Sequence, residues 1–172
     1  MYTILIMKTQ KVLLLITIFS FAVIKGFTQD TGIDKNLFPE PIGYVNDFEK
    51  ILTDEQEAQL TKFLTVYEQN TTNEIAVVTL NTIETYSNFD QYAIDLSNLW
   101  GVGKKKKNNG LTIIFSKSLR KIRIVTGFGT EKKLTNEICK QVIDQIIIPE
   151  FKKGEFYDGV LLGLAELMKR WI

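Results

Sequence analysis

The sequence predicts an α/β protein, namely a three-layer α/β/α sandwich in which a small mixed β-sheet is flanked by helices on both faces. A helical segment joins the strands predicted at 74–80 and 111–116, so these strands are expected to be parallel, with a right-handed crossover. The strand predicted at 121–126 follows a tight turn at 117–120, so it is expected to run antiparallel to its neighbour. Helical segments before, between and after the strands then cover both faces of the sheet.

The first helix is predicted to begin at Thr53, because Thr53 and Gln56 have the spacing of a capping box. The run 74–80, which reads Glu-Ile-Ala-Val-Val-Thr-Leu, predicts a buried strand because it is apolar and rich in β-branched residues. Before that strand, apolar residues recur with the spacing of one helix face at Leu60, Phe63, Leu64 and Tyr67.

The second half of the chain continues the alternation of helices and strands. Asn88 is the predicted cap of a helix that ends near Trp100, and the strands at 111–116 and 121–126 follow. Thr135 is the predicted cap of another helix, which Pro149 is expected to end. A last helix is predicted from Phe156. The two later helices carry apolar stripes at Ile138, Cys139, Val142, Ile143, Ile146 and Ile147, and at Val160, Leu161, Leu164, Met168 and Trp171.

The composition excludes several kinds of chemistry. A chain of 172 residues with 45% hydrophobic and 24% charged residues is long enough for one domain with a proper core. It contains no histidine, so it has neither a Ser-His-Asp triad nor the commonest side-chain ligand of transition metals. Its single cysteine, Cys139, excludes an internal disulfide and a cysteine-based zinc site, and its place on an apolar stripe predicts that it is packed in the core.

The first 29 residues predict a signal peptide. Lys8 and Lys11 precede a run of thirteen uncharged residues from 12 to 24, which is typical of a signal-peptide core and short for a membrane span. Translation starting at Met7 would give the more typical basic opening. Cleavage near Asp30 would leave a linker at 30–42 and a domain at 43–172, in the periplasm or elsewhere at the cell envelope. The alternative is an uncleaved anchor helix over 12–27.

Charge argues against a nucleic-acid partner. Without residues 1–29, which carry three lysines and no acid, the chain has 18 basic and 20 acidic residues and a net charge of −2. Nucleic-acid-binding domains tend to be strongly basic. The pair Gly127-Phe-Gly129 falls short of a dinucleotide fingerprint, and the chain contains no phosphate-binding loop, so no nucleotide cofactor is predicted.

Acidic residues gather at one predicted end of the sheet. In open α/β sheets ligands usually bind beyond the carboxyl ends of the strands, and calcium accepts carboxylate, amide and carbonyl oxygens without needing histidine. The alternative is that the aspartates only favour the positive ends of their helices. The topology brings to this end Asp54, Glu84, Asp90, Glu155 and Asp158.

The chain resembles the TPM domain family from about Gly43 to its C-terminus. The segment between the helix predicted to end near Trp100 and the strand predicted at 111–116 contains Trp100-Gly-Val-Gly103, four lysines and Asn108-Asn-Gly110. The family's characteristic aspartate before the first helix matches Asp47. In the family the helix after the residue that matches Glu131 often begins with an aspartate, whereas this chain has Asn136 there, which removes one negative charge. The other matching residues are Asn109-Gly110, the Arg-x-x-x-Gly-x-Gly-x-Glu pattern of Arg123, Gly127, Gly129 and Glu131, Pro149-x-Phe151, and Gly154-Glu-Phe.

The resemblance implies three properties: divalent-cation binding, weak acid-phosphatase activity and a role in maintaining membrane protein complexes. The expected metal ligands are Asp47, Asp90 and Glu155, with Ca²⁺ as the expected ion and Mg²⁺ as the alternative. The resemblance makes Asn109 and Glu131 candidate ligand-binding residues.

Arg123 and the lysines 104–107 each have two possible interpretations. Arg123 either pairs with Glu131 or another acid, or binds an anion. The lysines 104–107 either form a solvated loop or dock onto an envelope protein complex or an anionic membrane surface.

The predicted function is therefore an exported calcium-binding module with an interaction or quality-control role at the cell envelope. The alternative is a weak metal-assisted acid phosphatase, in which Asp47 is a metal ligand or nucleophile and Arg123 holds the phosphate. A scaffold without a ligand is the third possibility.

Overall fold

Four strands form one mixed sheet in which each strand lies beside the strand that precedes it in the chain. β1 is parallel to β2 and β2 is parallel to β3, whereas β3 and β4 are antiparallel. The predicted parallel and antiparallel pairs are confirmed. The strands are β1 (Val45–Asp47), β2 (Glu74–Thr79), β3 (Gly110–Ser116) and β4 (Lys121–Thr126).

The computed structural model describes residues 35–84 and 86–171, which belong to a compact unit spanning residues 33–172. The predicted signal peptide and the beginning of the predicted linker lie outside these residues. Within the described part of the chain, no helix combines the length and the hydropathy needed to cross a bilayer.

Within residues 35–84 and 86–171, six α-helices accompany the sheet. The predicted capping box at the first helix is confirmed, because the Thr53 hydroxyl accepts from the Gln56 N–H and the Gln56 side chain accepts from the Thr53 N–H. Asn88 caps the second helix by accepting from the N–H groups of Asp90 and Gln91. The helices are α1 (Asp54–Thr71), α2 (Phe89–Trp100), α3 (Phe128–Glu131), α4 (Asn136–Val142), α5 (Ile148–Lys153) and α6 (Phe156–Arg170).

The sheet separates two hydrophobic cores, which confirms the three-layer α/β/α arrangement. On one face, α1, α4 and α6 pack through residues such as Leu60, Val142 and Leu164. On the other face, α2 packs through Tyr92 and Leu96. Cys139 is buried in the first core, where burial raises the pKa of its thiol to about 11.

The helix that begins after Thr135 does not end at Pro149, so this prediction is wrong. A π-helical turn, Ile143–Ile147, joins α4 directly to α5, and Pro149 lies in the first turn of α5. The Ile148 N–H bonds to the carbonyl of Ile143, five residues back. This wider turn changes the backbone path just before the proline, whose ring and missing N–H disrupt an unbroken α-helix.

β1 is the strand that the periodicity did not predict. It has only three residues, and two of them, Asn46 and Asp47, are polar. They are nevertheless buried, and hydrogen bonds from their side chains to nearby backbone and hydroxyl groups offset the cost of this burial. A strand held in this way carries no hydrophobic pattern.

Candidate functional site

Asp47, the last residue of β1, is a buried carboxylate at the carboxyl end of the parallel strands, with 8% of its surface exposed. Its Oδ2 accepts the Leu52 N–H at 2.8 Å, and its Oδ1 accepts the Thr79 hydroxyl at the end of β2. The Thr79 hydroxyl in turn accepts the Glu49 N–H at 2.9 Å. Both oxygens of Asp47 therefore hold the loop that leads from β1 into α1.

Glu49 is a residue of this end that sequence reasoning missed. Its Oε2 accepts the Lys117 N–H at 2.9 Å, and its Oε1 accepts the N–H and hydroxyl of Ser118 at 2.8 and 2.6 Å. Glu49 thus joins the loop after β1 to the turn between β3 and β4. A single acid in a loop has no spacing pattern that would reveal such a role.

Two further carboxylates, Asp54 and Glu57, lie at the start of α1, and Glu57 is near enough to both aspartates to feel their charges. Partial burial, followed by the negative charges of Asp47 and Asp54, raises the pKa of Glu57 above its ordinary value. Asp54 and Glu57 lie in the first turns of the helix, where the helix dipole favours negative charge. This end of the molecule therefore concentrates like charges around one carboxylate.

The structure does not bring the three expected metal ligands together. Asp90 lies in the first turn of α2 on one side of the sheet, and its side chain is 60% exposed. Glu155 precedes α6, on the other side of the sheet, and makes no capping hydrogen bond. Across residues 35–84 and 86–171, no group of three or more acidic or thiol side chains has the geometry to hold a metal ion.

Asp47 and Arg123, the two candidate catalytic residues, lie on opposite faces of the sheet. Asp47 is in register with Thr79, Phe115 and Ile122 across the four strands, and successive residues of a strand point to opposite faces. Arg123 therefore points to the α2 face. Three strand spacings of about 4.8 Å separate β1 from β4 by about 14 Å. One phosphate group cannot contact both side chains in this arrangement.

Two of the lysines at 104–107 are bound within the protein. Lys104 Nζ contacts Glu68 and lies 3.4 Å from Glu74, while Lys107 Nζ donates to the Thr72 hydroxyl at 2.7 Å. The hydrogen bonds from Lys104 and then Tyr44 lower the pKa of Glu68. Lys104 is therefore paired with acids, whereas Lys107, whose acceptor is a neutral hydroxyl, keeps its charge along with Lys105 and Lys106.

Asn109, a candidate ligand-binding residue, is buried and joins the lysine loop to the segment before β2. Its Oδ1 accepts the Lys104 N–H at 3.0 Å. Its Nδ2 donates to the Thr72 carbonyl at 2.7 Å and to Asn73 Oδ1 at 3.0 Å. These hydrogen bonds occupy both ends of the Asn109 amide, so Asn109 has a structural role in holding the loop.

Several of the singled-out motif residues meet in one cavity of about 660 Å³, which we call the β4 cleft. Glu131, the other candidate ligand-binding residue, lines it together with Arg123. Arg123 Nη1 lies 3.8 Å from Asp90 Oδ1. Among the described residues, the buried Nε of Arg123 has no hydrogen-bond partner. The cleft is lined by Ile94, Ser97, Asn98, Gly101, Val102, Gly103, Lys105, Asn108, residues 123–128, Glu131 and Asn136.

A family model of the TPM domain matches residues 45–170, from β1 to the end of α6. This chain belongs to the TPM domain family. The match includes Asp47, the glycines around the β4 cleft, Arg123 and Glu131, so the resemblance seen in the sequence is confirmed. No curated protein matches the chain.

Solved structures agree with the fold of this TPM domain. The N-terminal domain of a protein from P. gingivalis is 29% identical, with a TM-score of 0.66 over 73% of this chain and 80% of that one. The BA42 protein of Bizionia argentinensis is 23% identical, with a TM-score of 0.59 over 72% and 83%. The N-terminal domain of cg2496 from Corynebacterium glutamicum is 10% identical, with a TM-score of 0.57 over 78% and 84%. The last two similarities concern the fold alone.

Proposed function

We propose that this TPM domain is an exported, non-catalytic interaction module of the cell envelope that binds Ca²⁺ weakly at the start of α1, with Mg²⁺ as the alternative ion. The observation that carries the proposal is that Glu57 is partly buried at the start of α1, near the negative charges of Asp47 and Asp54. Burial first, and then these two charges, raise the pKa of Glu57. A divalent cation beside these carboxylates would relieve their repulsion. Export rests on the pattern of residues 1–29, and a mature N-terminus near Asp30, found by mass spectrometry, is its test.

The donors suit a hard cation in chemistry, but Asp47, Asp54 and Glu57 are not grouped as a three-carboxylate metal site, which limits the affinity. Carboxylate oxygens are the ligands that calcium prefers, and Asp54 and Glu57 would supply them. Asp47 contributes charge, but each of its oxygens already accepts a hydrogen bond. A site with so few free oxygens is expected to bind calcium at millimolar rather than micromolar concentration.

Glu57→Gln is expected to weaken calcium binding by about tenfold, or 1.4 kcal/mol, and to stabilise the calcium-free protein by a few tenths of a kcal/mol at pH 7. The second effect follows from the raised pKa of Glu57 in the folded state, because its ionisation above that pKa favours unfolding. Calcium titration of the full chain, followed by amide chemical shifts over residues 47–57, measures the first effect. Urea unfolding measures the second.

Glu55→Gln is the matched control, because Glu55 lies in the same first turn of α1 and is not among the charges that raise the pKa of Glu57. It should change calcium affinity by less than about twofold, since exposed charges at this distance are screened. The absence of a saturable shift at millimolar calcium would refute the cation proposal, and shifts confined to another region would refute its location.

The alternative function, weak metal-assisted phosphatase activity, is disfavoured by the separation of Asp47 from Arg123. We expect an activated aryl phosphate to turn over more slowly than about 1 s⁻¹, the lower edge of typical enzymes. Arg123→Ala should lower any such rate by less than about tenfold, because the candidate nucleophile Asp47 lies on the opposite face of the sheet and cannot act on a phosphate held by Arg123. Turnover that copurifies with the protein, exceeds this value and disappears in Arg123→Ala would favour the enzyme instead.

A further inference from the structure

The outer edge of β4 has no neighbouring strand among the described residues, and along it Ile122 and Thr126 are half-buried while Ile124 is 4% exposed. β4 pairs with β3 on one side, and no other described strand pairs with it. The Gly127 N–H bonds to the Gly110 carbonyl at 2.9 Å, which fixes the alternation of the antiparallel ladder. In this alternation, Arg123 and Val125 direct their backbone groups toward β3. Ile122, Ile124 and Thr126 direct their N–H and C=O groups away from it, where an added strand would accept and donate hydrogen bonds.

The β4 cleft lies along this edge. Four consecutive residues of β4, 123–126, line it, so the cavity follows the strand rather than one face of the sheet. The C-terminal half of α2 forms one wall, and Phe128, Glu131 and Asn136 contribute to the other. Four residues of an extended chain span about 13 Å, so the cleft offers room for a short strand beside β4.

The charges along the edge are mainly basic. Lys121 and Arg123 lie in β4, and Lys105 lines the far end of the β4 cleft. A second cavity, of about 600 Å³, adjoins the beginning of β4 and includes Lys117, Arg120 and Lys152. Asp90 and Glu131 are the acids near Arg123, and neither is within hydrogen-bond distance of its Nε. The Arg123 side chain is 35% exposed and its nearest acid is 3.8 Å away, so a carboxylate brought to its guanidinium would gain a charge-assisted hydrogen bond.

We propose that the open edge of β4 binds an extended, acidic peptide segment of a partner protein, which adds a strand to the sheet and places a carboxylate against Arg123. Strand addition of this kind takes its affinity from backbone hydrogen bonds and its specificity from side chains on alternate positions. The inference rests on the interaction role proposed above and supplies the chemistry of the partner.

A second copy of the chain fits this edge poorly. The charged residues of β4, Lys121 and Arg123, are both basic, so pairing two copies of β4 would bring like charges together. Basic side chains on an edge strand discourage self-association, and they favour an acidic strand by the same electrostatics.

A capped, fluorescein-labelled peptide of nine residues that alternates glutamate and valine is the probe, and its lysine–valine counterpart is the control. With the full chain, we expect saturable binding of the acidic probe alone. Amide exchange of Ile122, Ile124 and Thr126 should slow by at least tenfold on binding. The amides of Arg123 and Val125, which already bond to β3, should change little.

Variants separate strand addition from nonspecific attraction. Arg123→Gln should weaken binding of the acidic probe by about tenfold. Arg170→Gln, which removes an arginine paired with Glu166 on α6, should leave its affinity unchanged. Thr126→Pro should abolish binding, because it removes an outward N–H and no ladder bond. Should Thr126→Pro fail to fold, Arg123→Glu gives the second test: the acidic probe should be lost and the basic probe gained.

Several results would overturn the inference. One is equal binding of the acidic and basic probes, and another is the absence of saturable binding at about 1 mM probe. A third is slowed amide exchange in residues away from β4. A fourth is slowed exchange of the same β4 amides when only the protein concentration is raised, which would indicate pairing with a second copy. The calcium titration is independent of these readouts. Calcium shifts without probe binding would refute only this inference, and probe binding without calcium shifts would refute only the cation site.

Discussion

Asp47→Ala is expected to lower the free energy of unfolding by about 3 kcal/mol. The substitution leaves the Leu52 N–H and the Thr79 hydroxyl without their acceptor, and a buried donor without an acceptor costs about 1–3 kcal/mol. It also releases the loop that leads into α1. Urea unfolding, followed by circular dichroism with the slope held common to both proteins, measures the loss.

Asp47→Asn is the matched control and should cost only about 1 kcal/mol. Its amide oxygen can accept the Leu52 N–H, and its NH₂ group can donate to the Thr79 hydroxyl oxygen, which also accepts from Glu49. Thr79→Val should weaken the same network, so its effect and that of Asp47→Ala should not add. Equal stability of the alanine variant and the natural chain would contradict the loop-fixing role.

Gly110→Ala is expected to destabilise the protein by at least about 3 kcal/mol. A Cβ atom at this first residue of β3 would lie 1.9 Å from the Val102 carbonyl oxygen and 2.9 Å from the Gly103 nitrogen. These are backbone atoms, so no side-chain rotation relieves the overlap, and the loop between α2 and β3 would have to move. The midpoint of urea unfolding measures the effect.

Gly43→Ala tests whether the cost at Gly110 comes from steric overlap. A Cβ atom at Gly43 would meet no atom within 4 Å, so its stability should stay within about 0.5 kcal/mol of the natural chain. A Gly110→Ala variant that loses less than about 1 kcal/mol would show that the loop accommodates the methyl group.

Local patterns predicted most of the secondary structure because they report burial directly. The spacing of Leu60, Leu64 and their neighbours predicts a helix face, and the capping groups of Thr53 and Asn88 act within the next three residues. β1 is different, since Asn46 and Asp47 are buried through bonds to residues as distant as Thr79. The effect of Pro149 also depended on the π-helical turn before it, which no local preference signalled.

The motif residues taken from the family resemblance were predicted without a common location. Arg123, Gly127 and Glu131 were singled out and do line one cavity, together with Gly103 and Asn108. The cation site expected at the carboxyl end of the sheet stays a prediction, and the β4 cleft is a separate feature that follows the edge of β4. Whether a strand edge stays open depends on how helices pack around it, and a hydrophobic pattern contains no such information.

The order of the strands has a consequence for how the chain acquires its structure. Because each strand joins the sheet beside its predecessor, no strand has to insert between two that are already paired. A chain that emerges amino terminus first can therefore extend the sheet as each segment becomes available. Each pairing joins segments that are consecutive in the chain, which costs less chain entropy than pairing strands from its two ends. The topology thus suits vectorial assembly, with α6 completing the first hydrophobic core last.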